Sequence, residues 1–159
     1  MNSLEIRIND DYQMEELRHC HTAILADEIE RDKEGGSVAG VNLHEYVPKM
    51  VEAEGYSWAL LSGSPAEICG VLCIEKGDFV TCEHNLAIWV KPSHRRKGLC
   101  VNATRKVFEI LKDYGVRRVA IIASKDNLPM TAAVDAISQE LDVDIVHGDA
   151  EYKQWVIDV

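Results

Sequence analysis

The segment VKPSHRRKGLC, residues 90–100, places a proline, three consecutive cationic side chains and a glycine between an apolar run and a stretch with helical periodicity. A helix that begins here presents unpaired backbone N–H groups and the positive end of its dipole, and both attract an anion. Gly98 allows a ligand to approach the backbone closely, and Arg95, Arg96 and Lys97 add positive charge. The pattern predicts a site for a phosphate-bearing ligand. A loop whose basic residues are simply solvated is the alternative that the residues alone leave open.

Length and charge narrow the class of protein. The chain has 159 residues, of which 47% are hydrophobic and 28% charged, as is typical of a globular protein. We expect one domain, residues 1–159, with a sizeable core. The formal net charge of −10 opposes generic binding to DNA or RNA, because that binding comes from cations that displace counterions from phosphate. The acidity favours a cationic partner, or serves only to keep the protein soluble.

The five cysteines, Cys20, Cys69, Cys73, Cys82 and Cys100, form no CxxC pair and no zinc-finger spacing with histidine. We therefore expect reduced thiols, no metal site and a cytoplasmic protein. The N-terminal residues contain no apolar stretch of signal length, and no segment approaches the ~20 apolar residues of a membrane-spanning helix. The sequence predicts no membrane association.

The first half of the chain alternates between strand and helix signals. Leu4–Ile8 shows strand periodicity, and the cap-forming residues 9–11 then predict a helix that runs to about Glu30. A second helix is predicted from Asn42 to about Met50. Three strands with hairpin-like connections follow, and they are Ser57–Leu61, Glu67–Glu75 and Phe79–Val90.

The second half begins with an amphipathic helix, Leu99–Tyr114, which Gly115 is placed to end. A β-branched strand, Val116–Ala123, and a helix, Leu128–Leu141, come next. The tail predicts a hairpin that turns near residues 148–149. The resulting order, β-α-α-β-β-β-α-β-α-β-β, predicts one mixed α/β sheet with helices on its faces.

Residues 90–100 also resemble the acetyl-CoA-binding motif of the GNAT acyltransferase superfamily, V-x-P-x-x-[RQ]-x-x-G-x-[GA]. The match includes Val90, Pro92, Arg95 and Gly98, and it departs at Cys100, where the family has Gly or Ala. The order of elements is similar to the family's over nearly the whole chain. The resemblance implies an α+β fold with a mostly antiparallel sheet and helices on both faces.

The resemblance further implies where acetyl-CoA binds. The pyrophosphate would lie on the N–H groups of residues 95–100, and the pantetheine would pair like an extra strand with residues 88–90, where the family splays two parallel strands apart. Asn127 resembles the family's Asn that approaches the pantetheine arm. The positions assigned to acetyl-CoA are Ile88, Trp89, Val90, Arg95, Arg96, Lys97, Gly98, Leu99, Cys100 and Asn127.

The implied reaction is acyl transfer from a thioester to an amine in a ternary complex, without a covalent acyl-enzyme. An alkyl ammonium has a pKa of roughly 10.4 and must lose a proton before it attacks. The family commonly places the base six residues before the motif's Val, which is His84 here; Glu83 is the second candidate, although strict alternation points it to the opposite face. A backbone N–H near Val90 would meet the oxyanion.

The general acid is not identified by the sequence. The family often has a Tyr where this chain has Val134, and the family's Gly-Phe after the same helix is replaced by residues 141–143, LDV. Tyr152, in the last predicted hairpin, and bulk solvent remain as alternatives. The missing Tyr bears on the identity of the general acid, whereas the missing Gly-Phe bears on packing.

The acceptor is also left open by the sequence. In the family it is chosen by the first two helices and the last hairpin, and the acidic residues Asp27, Glu28, Glu30 and Asp32 near the end of the first helix either favour a cationic acceptor or form a solvated face. A small-molecule or peptide amine is expected, and a homodimer is left open. Two rival hypotheses are a catalytically silent, CoA-binding or structural protein of this fold, and an enzyme acting on nucleic-acid bases or tRNA, which the net charge disfavours.

Overall fold

The computed structural model describes residues 5–32, 43–52, 55–76, 84–124, 126–141 and 152–159. The strands are β1 (Ile6–Arg7), β2 (Tyr12–Glu16), β3 (Gly55–Ser62), β4 (Glu67–Lys76), β5 (His84–Val90), β6 (Arg118–Ser124) and β7 (Tyr152–Asp158). The helices are α1 (His19–Arg31), α2 (Leu43–Glu52), α3 (Leu99–Asp113) and α4 (Leu128–Leu141), with a short 3-10 turn at Pro92–His94.

The seven strands form one sheet in which the spatial order equals the order along the chain. Every neighbouring pair is antiparallel except β5 and β6, which are parallel. Parallel neighbours need a long crossover connection, and α3 lies in that connection. The mixed, mostly antiparallel sheet predicted from the sequence is confirmed.

The sheet is covered on both faces. On one face, which we call the α3–α4 face, Leu86, Ile88 and Val90 of β5 share a buried cluster with apolar residues of α3 and α4. On the other, the α1–α2 face, Trp89 of β5 packs in a cluster with residues of α1 and α2, and Ala87 packs against that cluster. Alternate residues of a strand point to opposite faces, so β5 takes part in both cores.

Strand β2 corrects the sequence-based prediction of one long first helix. Residues 12–16 form a strand whose buried residues Tyr12 and Met14 alternate with more exposed ones, and Met14 pairs with Leu60 of β3. The helix α1 begins only at His19. Asn9, interpreted as a helix cap, instead accepts hydrogen bonds from the N–H groups of Asp11 and Tyr12 at 2.9 and 3.0 Å, and so forms the turn between β1 and β2.

The remaining boundaries follow the predictions closely. Helix α4 has the predicted bounds, α3 ends one residue earlier than predicted, and the three central strands are found. The predicted start of the third of them, residues 79–83, and the predicted turn near residue 148 lie outside the described residues. Within the described ranges no helix is long and apolar enough to cross a membrane.

Candidate active site

The site is built around a gap between β5 and β6. The described parts of these strands are bridged at one residue pair, Asn85 and Ala120, whereas β5 pairs with β4 along its whole length. No described bridge joins the two strands after Asn85, and the rest of β5 borders the gap. Two parallel strands that part in this way expose a backbone edge to which an extended ligand can add as a strand.

Backbone geometry shows which groups of β5 face the gap. The N–H of Lys91, directly after β5, donates to the carbonyl oxygen of Cys69 on β4 at 2.8 Å. Because successive residues direct their backbone groups to alternate edges of a strand, the N–H and C=O groups of Ile88 and Val90 point away from β4 and into the gap. These are two of the three residues to which the resemblance assigns the pantetheine.

Gly70 allows β4 and β5 to lie this close together. It is paired with Val90, and a Cβ atom added to it would lie 2.5 Å from the carbonyl oxygen of Trp89. No real side chain tolerates that distance, so any larger residue would push β5 away from β4. A glycine is needed here for a close approach.

At the open end of the gap, the chain turns sharply into α3. Arg96 has φ +61° and Gly98 has φ +73°, both in the left-handed region. Such a backbone turns successive N–H groups toward one concave side, which is a common anion-binding arrangement. A non-glycine residue in this conformation carries about 1–3 kcal/mol of backbone strain, and such residues are often found at functional sites.

Most backbone amides of this corner have no hydrogen-bond partner among the described residues. The N–H of Arg95 donates to the carbonyl of Pro92 at 3.2 Å, and the first hydrogen bond inside α3 runs from the N–H of Asn102 to Gly98 at 3.0 Å. Between them, no described residue accepts a hydrogen bond from the N–H groups of residues 96–101. The start of α3 thus presents a row of free donors, together with the exposed side chains of Arg96 and Lys97.

Arg95 is engaged differently from its two basic neighbours. Its guanidinium forms an ion pair with Asp32, which follows the last residue of α1, and its Nε donates to the carbonyl of Val90 at 2.9 Å. The carboxylate of Asp32 is only 2% exposed and also accepts a hydrogen bond from the indole nitrogen of Trp89 at 2.8 Å. The charge of Arg95 is therefore neutralised inside the protein, and Arg95 holds the corner in place.

This role of Asp32 is not visible in the sequence, where Asp32 belongs to a cluster of four acidic residues near the end of α1. Its only sequence signal is its position just after α1. The signal was missed because the partners, Trp89 and Arg95, lie about sixty residues further along the chain.

A second contact that sequence reasoning missed ties β2 to the same corner. The hydroxyl of Tyr12 lies 3.1 Å from Nδ1 of His94, and the two rings meet edge to face. Burial, with the nearby charges of Lys97 and Lys91, lowers the pKa of His94, while burial raises the pKa of Tyr12. A neutral imidazole whose Nδ1 accepts a hydrogen bond from the protonated tyrosine hydroxyl fits both shifts.

The two candidate bases are placed differently. His84 is the first residue of β5, paired with Lys76, and the regular β4–β5 register puts it on the α3–α4 face with Leu86. Along the strand it lies about 20 Å from Val90, at ~3.3 Å per residue. Glu83 lies outside the described residues, so the roles of both residues remain predictions.

The other assigned residues show how tightly the corner is packed. Leu99 is buried in the core, and burial raises the pKa of the Cys100 thiol to about 12, so that thiol stays protonated at neutral pH. The side-chain oxygen of Asn127 accepts the N–H of Met130 at 3.1 Å and caps α4, which leaves the amide nitrogen as a donor. Val134, where the family often has Tyr, is fully buried in the core.

Groups of three or more potential metal ligands were not found among the described residues. The free amides and exposed cations of the corner suit an anion instead. No residue is assigned to a metal.

Solved structures of acetyltransferases share this fold. An acetyltransferase from Agrobacterium tumefaciens aligns with a TM-score of 0.72 at 12% identity, over 98% of this chain and 95% of its own. RimL, a ribosomal L7/L12 alpha-N-protein acetyltransferase solved in complex with coenzyme A, aligns with a TM-score of 0.72 at 13% identity, over 98% of each chain. An acetyl transferase from Salmonella typhimurium that modifies the N-terminal serine of the same ribosomal protein gives 0.71 at 12%, over 98% of this chain and 99% of its own.

At such low identities these structures show the fold alone, and no curated protein sequence gives a significant match. The family is shown by the sequence itself. Residues 8–134 match the model of the Acetyltransferase (GNAT) family, which covers most of the chain, both sides of the gap and the corner. The family uses acetyl-CoA to acetylate amines, and this chain belongs to it as a GNAT acetyltransferase.

Proposed function

We propose that this chain, acting as a single domain, transfers an acetyl group from acetyl-CoA to an amine of a small molecule or peptide by direct attack in a ternary complex. The observation that carries the proposal is the continuity of the gap with the corner. One backbone edge of β5 leads directly to a row of free amides, which matches a ligand that is extended at one end and doubly phosphorylated at the other.

The residues of the corner fit the cofactor as follows. The N–H groups of residues 96–100 would bind the pyrophosphate, and Arg96 and Lys97 would add charge near it. Arg95 contributes by holding the loop against Asp32 and Val90. The N–H and C=O groups of Ile88 and the N–H of Val90 would pair with the amides of the pantetheine arm, with the side-chain nitrogen of Asn127 as a further donor.

The thioester supplies an acyl group that is already activated. The chain would then contribute a backbone N–H of β5, at Ile88 or Val90, to stabilise the carbonyl oxygen as negative charge develops on it. Either His84 or Glu83 would accept the proton of the amine, directly or through water. Because burial keeps the Cys100 thiol protonated, no acyl-enzyme step is proposed at Cys100.

The acceptor proposed for the first test is an N-terminal amine of a peptide. Support for this choice comes from two of the neighbours described above, which are named as enzymes acting on the N-terminal amine of a ribosomal protein. The net charge of −10 adds support for acceptors with further positive charge. Amino acids, polyamines, antibiotics and protein lysines remain for comparison.

The test has two stages. Calorimetry with acetyl-CoA measures binding, and a thiol-release assay then measures turnover with peptides that begin with serine, with spermidine, with free amino acids and with amino-sugar antibiotics. We expect binding and acceptor-dependent release of CoA. Binding without release for every acceptor would instead support a catalytically silent member of the family.

A further inference from the structure

Asn85 stands at the closed end of the gap, where β5 and β6 make their one described bridge. Its side-chain oxygen Oδ1 is buried, and no described residue donates a hydrogen bond to it. Buried polar atoms are nearly always paired, and an unpaired one in a native protein calls for a specific explanation. An oxygen of this kind can only be satisfied by a donor.

The side chain of Asn85 faces the α1–α2 side of the sheet. The β4–β5 register is regular from His84 to Val90, so Asn85 shares its face with Ala87 and Trp89, which pack toward α1 and α2. Its partner across the parallel bridge, Ala120, is on the same face. His84, the neighbouring residue, faces the α3–α4 side.

This side of the gap is the one left for a second substrate. Helix α3 covers the other face and carries the free amides of the corner, so a cofactor that binds there approaches from the α3–α4 side. On the α1–α2 side, Ile122 of β6 is 42% exposed, and it lies two residues after Ala120 on the same face. Solvent therefore reaches this part of the α1–α2 face, as an acceptor beside Asn85 requires.

The surroundings of Asn85 also favour a donor that carries positive charge. Glu75 of β4 is directly opposite Asn85, and directly opposite residues of an antiparallel pair project to the same face. Asn85 and Glu75 thus contribute an amide and an acidic side chain to the same face of the sheet at the bridge. The negative charge of Glu75 on this face favours a donor that carries positive charge.

We propose that Asn85 binds the attacking amine, with its side-chain oxygen accepting an N–H of the acceptor at the closed end of the β5–β6 gap. The proposal rests on the proposed function, because it assigns a residue to the acceptor of that reaction. Asn85 positions the nitrogen and takes no proton. The base remains a separate group.

The first experiment uses the whole chain saturated with coenzyme A and follows the side-chain amide of Asn85 by 15N–1H NMR, assigned by its absence in Asn85→Leu. Ethylammonium is the probe. Tetramethylammonium is the matched control, because it carries the same charge and has no N–H. We expect a saturable shift of the Asn85 signal with ethylammonium and none with tetramethylammonium. Equal shifts with both ions, or no shift with ethylammonium, would overturn the proposal.

The second experiment measures acetylation by variants, with the best acceptor of the panel. Asn85→Leu should lower kcat/KM for the acceptor about tenfold, the usual effect of one lost hydrogen bond, while the affinity for acetyl-CoA stays within about twofold. Asn85→Asp, which keeps an acceptor oxygen, should restore much of the activity. Thr104→Val is the control, since the Thr104 hydroxyl is also buried without a hydrogen bond of good geometry to any described residue but belongs to α3, within the core.

The two proposals fail in different ways. If the wild-type chain does not bind acetyl-CoA or does not release CoA with any amine, the proposed function fails. If the wild type is active and Asn85→Leu acetylates with unchanged kcat/KM, the role of Asn85 is wrong and the proposed function stands.

Discussion

At the scale of single residues, the centre of the site is a buried ion pair. Asp32 is almost fully buried and Arg95 is 19% exposed, and Trp89 donates to the same carboxylate. Removing one member of such a pair leaves the other charge buried without a partner, which costs about 3–5 kcal/mol. The pair joins the end of α1 to the corner, so its loss should affect the cofactor site as well as the fold.

We expect Asp32→Asn to lower the free energy of unfolding by about 3 kcal/mol and to weaken coenzyme A binding, because Arg95 would lose its anchor. Chemical denaturation and calorimetry measure the two effects. The control is Glu140→Gln, which breaks a more exposed ion pair with Arg105 and should cost less than about 1 kcal/mol. An Asp32→Asn chain that binds coenzyme A as well as the wild type would contradict the anchoring role.

The thiols provide a second prediction at this scale. Burial raises the pKa of Cys69 and Cys73 to about 11 and that of Cys100 to about 12, so all three remain protonated at pH 8, whereas Cys20 is exposed. Iodoacetamide at pH 8 should label Cys20 and spare the other three until the chain unfolds. Peptide mass spectrometry after incubation with acetyl-CoA alone should find no acetyl group on Cys100. A stoichiometric adduct there would contradict direct attack.

The same raised pKa values have a consequence for stability. In the unfolded chain these thiols ionise near pH 9, while in the folded chain they keep their protons to about pH 11 or 12. The contribution of these protonated thiols to the free energy of unfolding is therefore complete below pH 9, and it is lost as the pH rises toward 11. Denaturation midpoints measured from pH 8 to 11 should fall, and the fall should be smaller in Cys73→Ala than in wild type.

At the scale of elements, the gap depends on the close contact of β4 with β5. Gly70→Ala would place a methyl group against the carbonyl of Trp89, and overpacking of this kind costs about 1–3 kcal/mol. We expect lower stability and weaker coenzyme A binding, because β5 would move into the gap. Gly115→Ala is the control, as it also replaces a glycine but meets no atom within 4 Å and lies at the far end of α3. Equal binding by both variants would contradict the dependence of the gap on Gly70.

The elements also show what the sequence could predict. Strong periodicity located α3 and α4 to within one residue, because a helix buried on one face has a clear hydrophobic pattern. The Gly, Pro and Asp residues of the connecting turns located β3 to β5. The prediction failed at residues 12–16, where the strand is short and Asn9 suits a turn as well as a helix cap. Pairing with β3 decided between the two, and that contact lies about fifty residues away.

The residues of the candidate site also differ in whether the sequence can reveal them. Motif residues 95–100 could be found, since a helix start, a glycine and cations are local features. The anchoring of Arg95 by Asp32, the contact of Tyr12 with His94 and the unpaired oxygen of Asn85 depend on distant parts of the chain. No local pattern could reveal them.

At the scale of the whole molecule, charge is distributed unevenly. The chain has a net charge of −10, yet Arg96 and Lys97 are exposed beside the free amides. We expect Lys97→Glu to weaken coenzyme A binding about tenfold at low salt and by less at high salt, because salt screens exposed charges. Lys112→Glu makes the same change at the other end of α3, about 22 Å away by helix geometry, and should alter binding by less than about twofold. An equal loss of coenzyme A affinity in the two variants would show that the effect of charge is not specific to the corner.

A titration of the 15N-labelled chain with coenzyme A, followed through the backbone amides, tests whether the corner and the β5 edge bind the cofactor. We expect saturable shifts that are largest at residues 96–100 and extend to Ile88 and Val90, while amides at the other end of α3, around residues 112–118, stay unchanged. Saturable binding whose largest shifts lie at residues 112–118, or no binding at millimolar coenzyme A, would contradict this expectation.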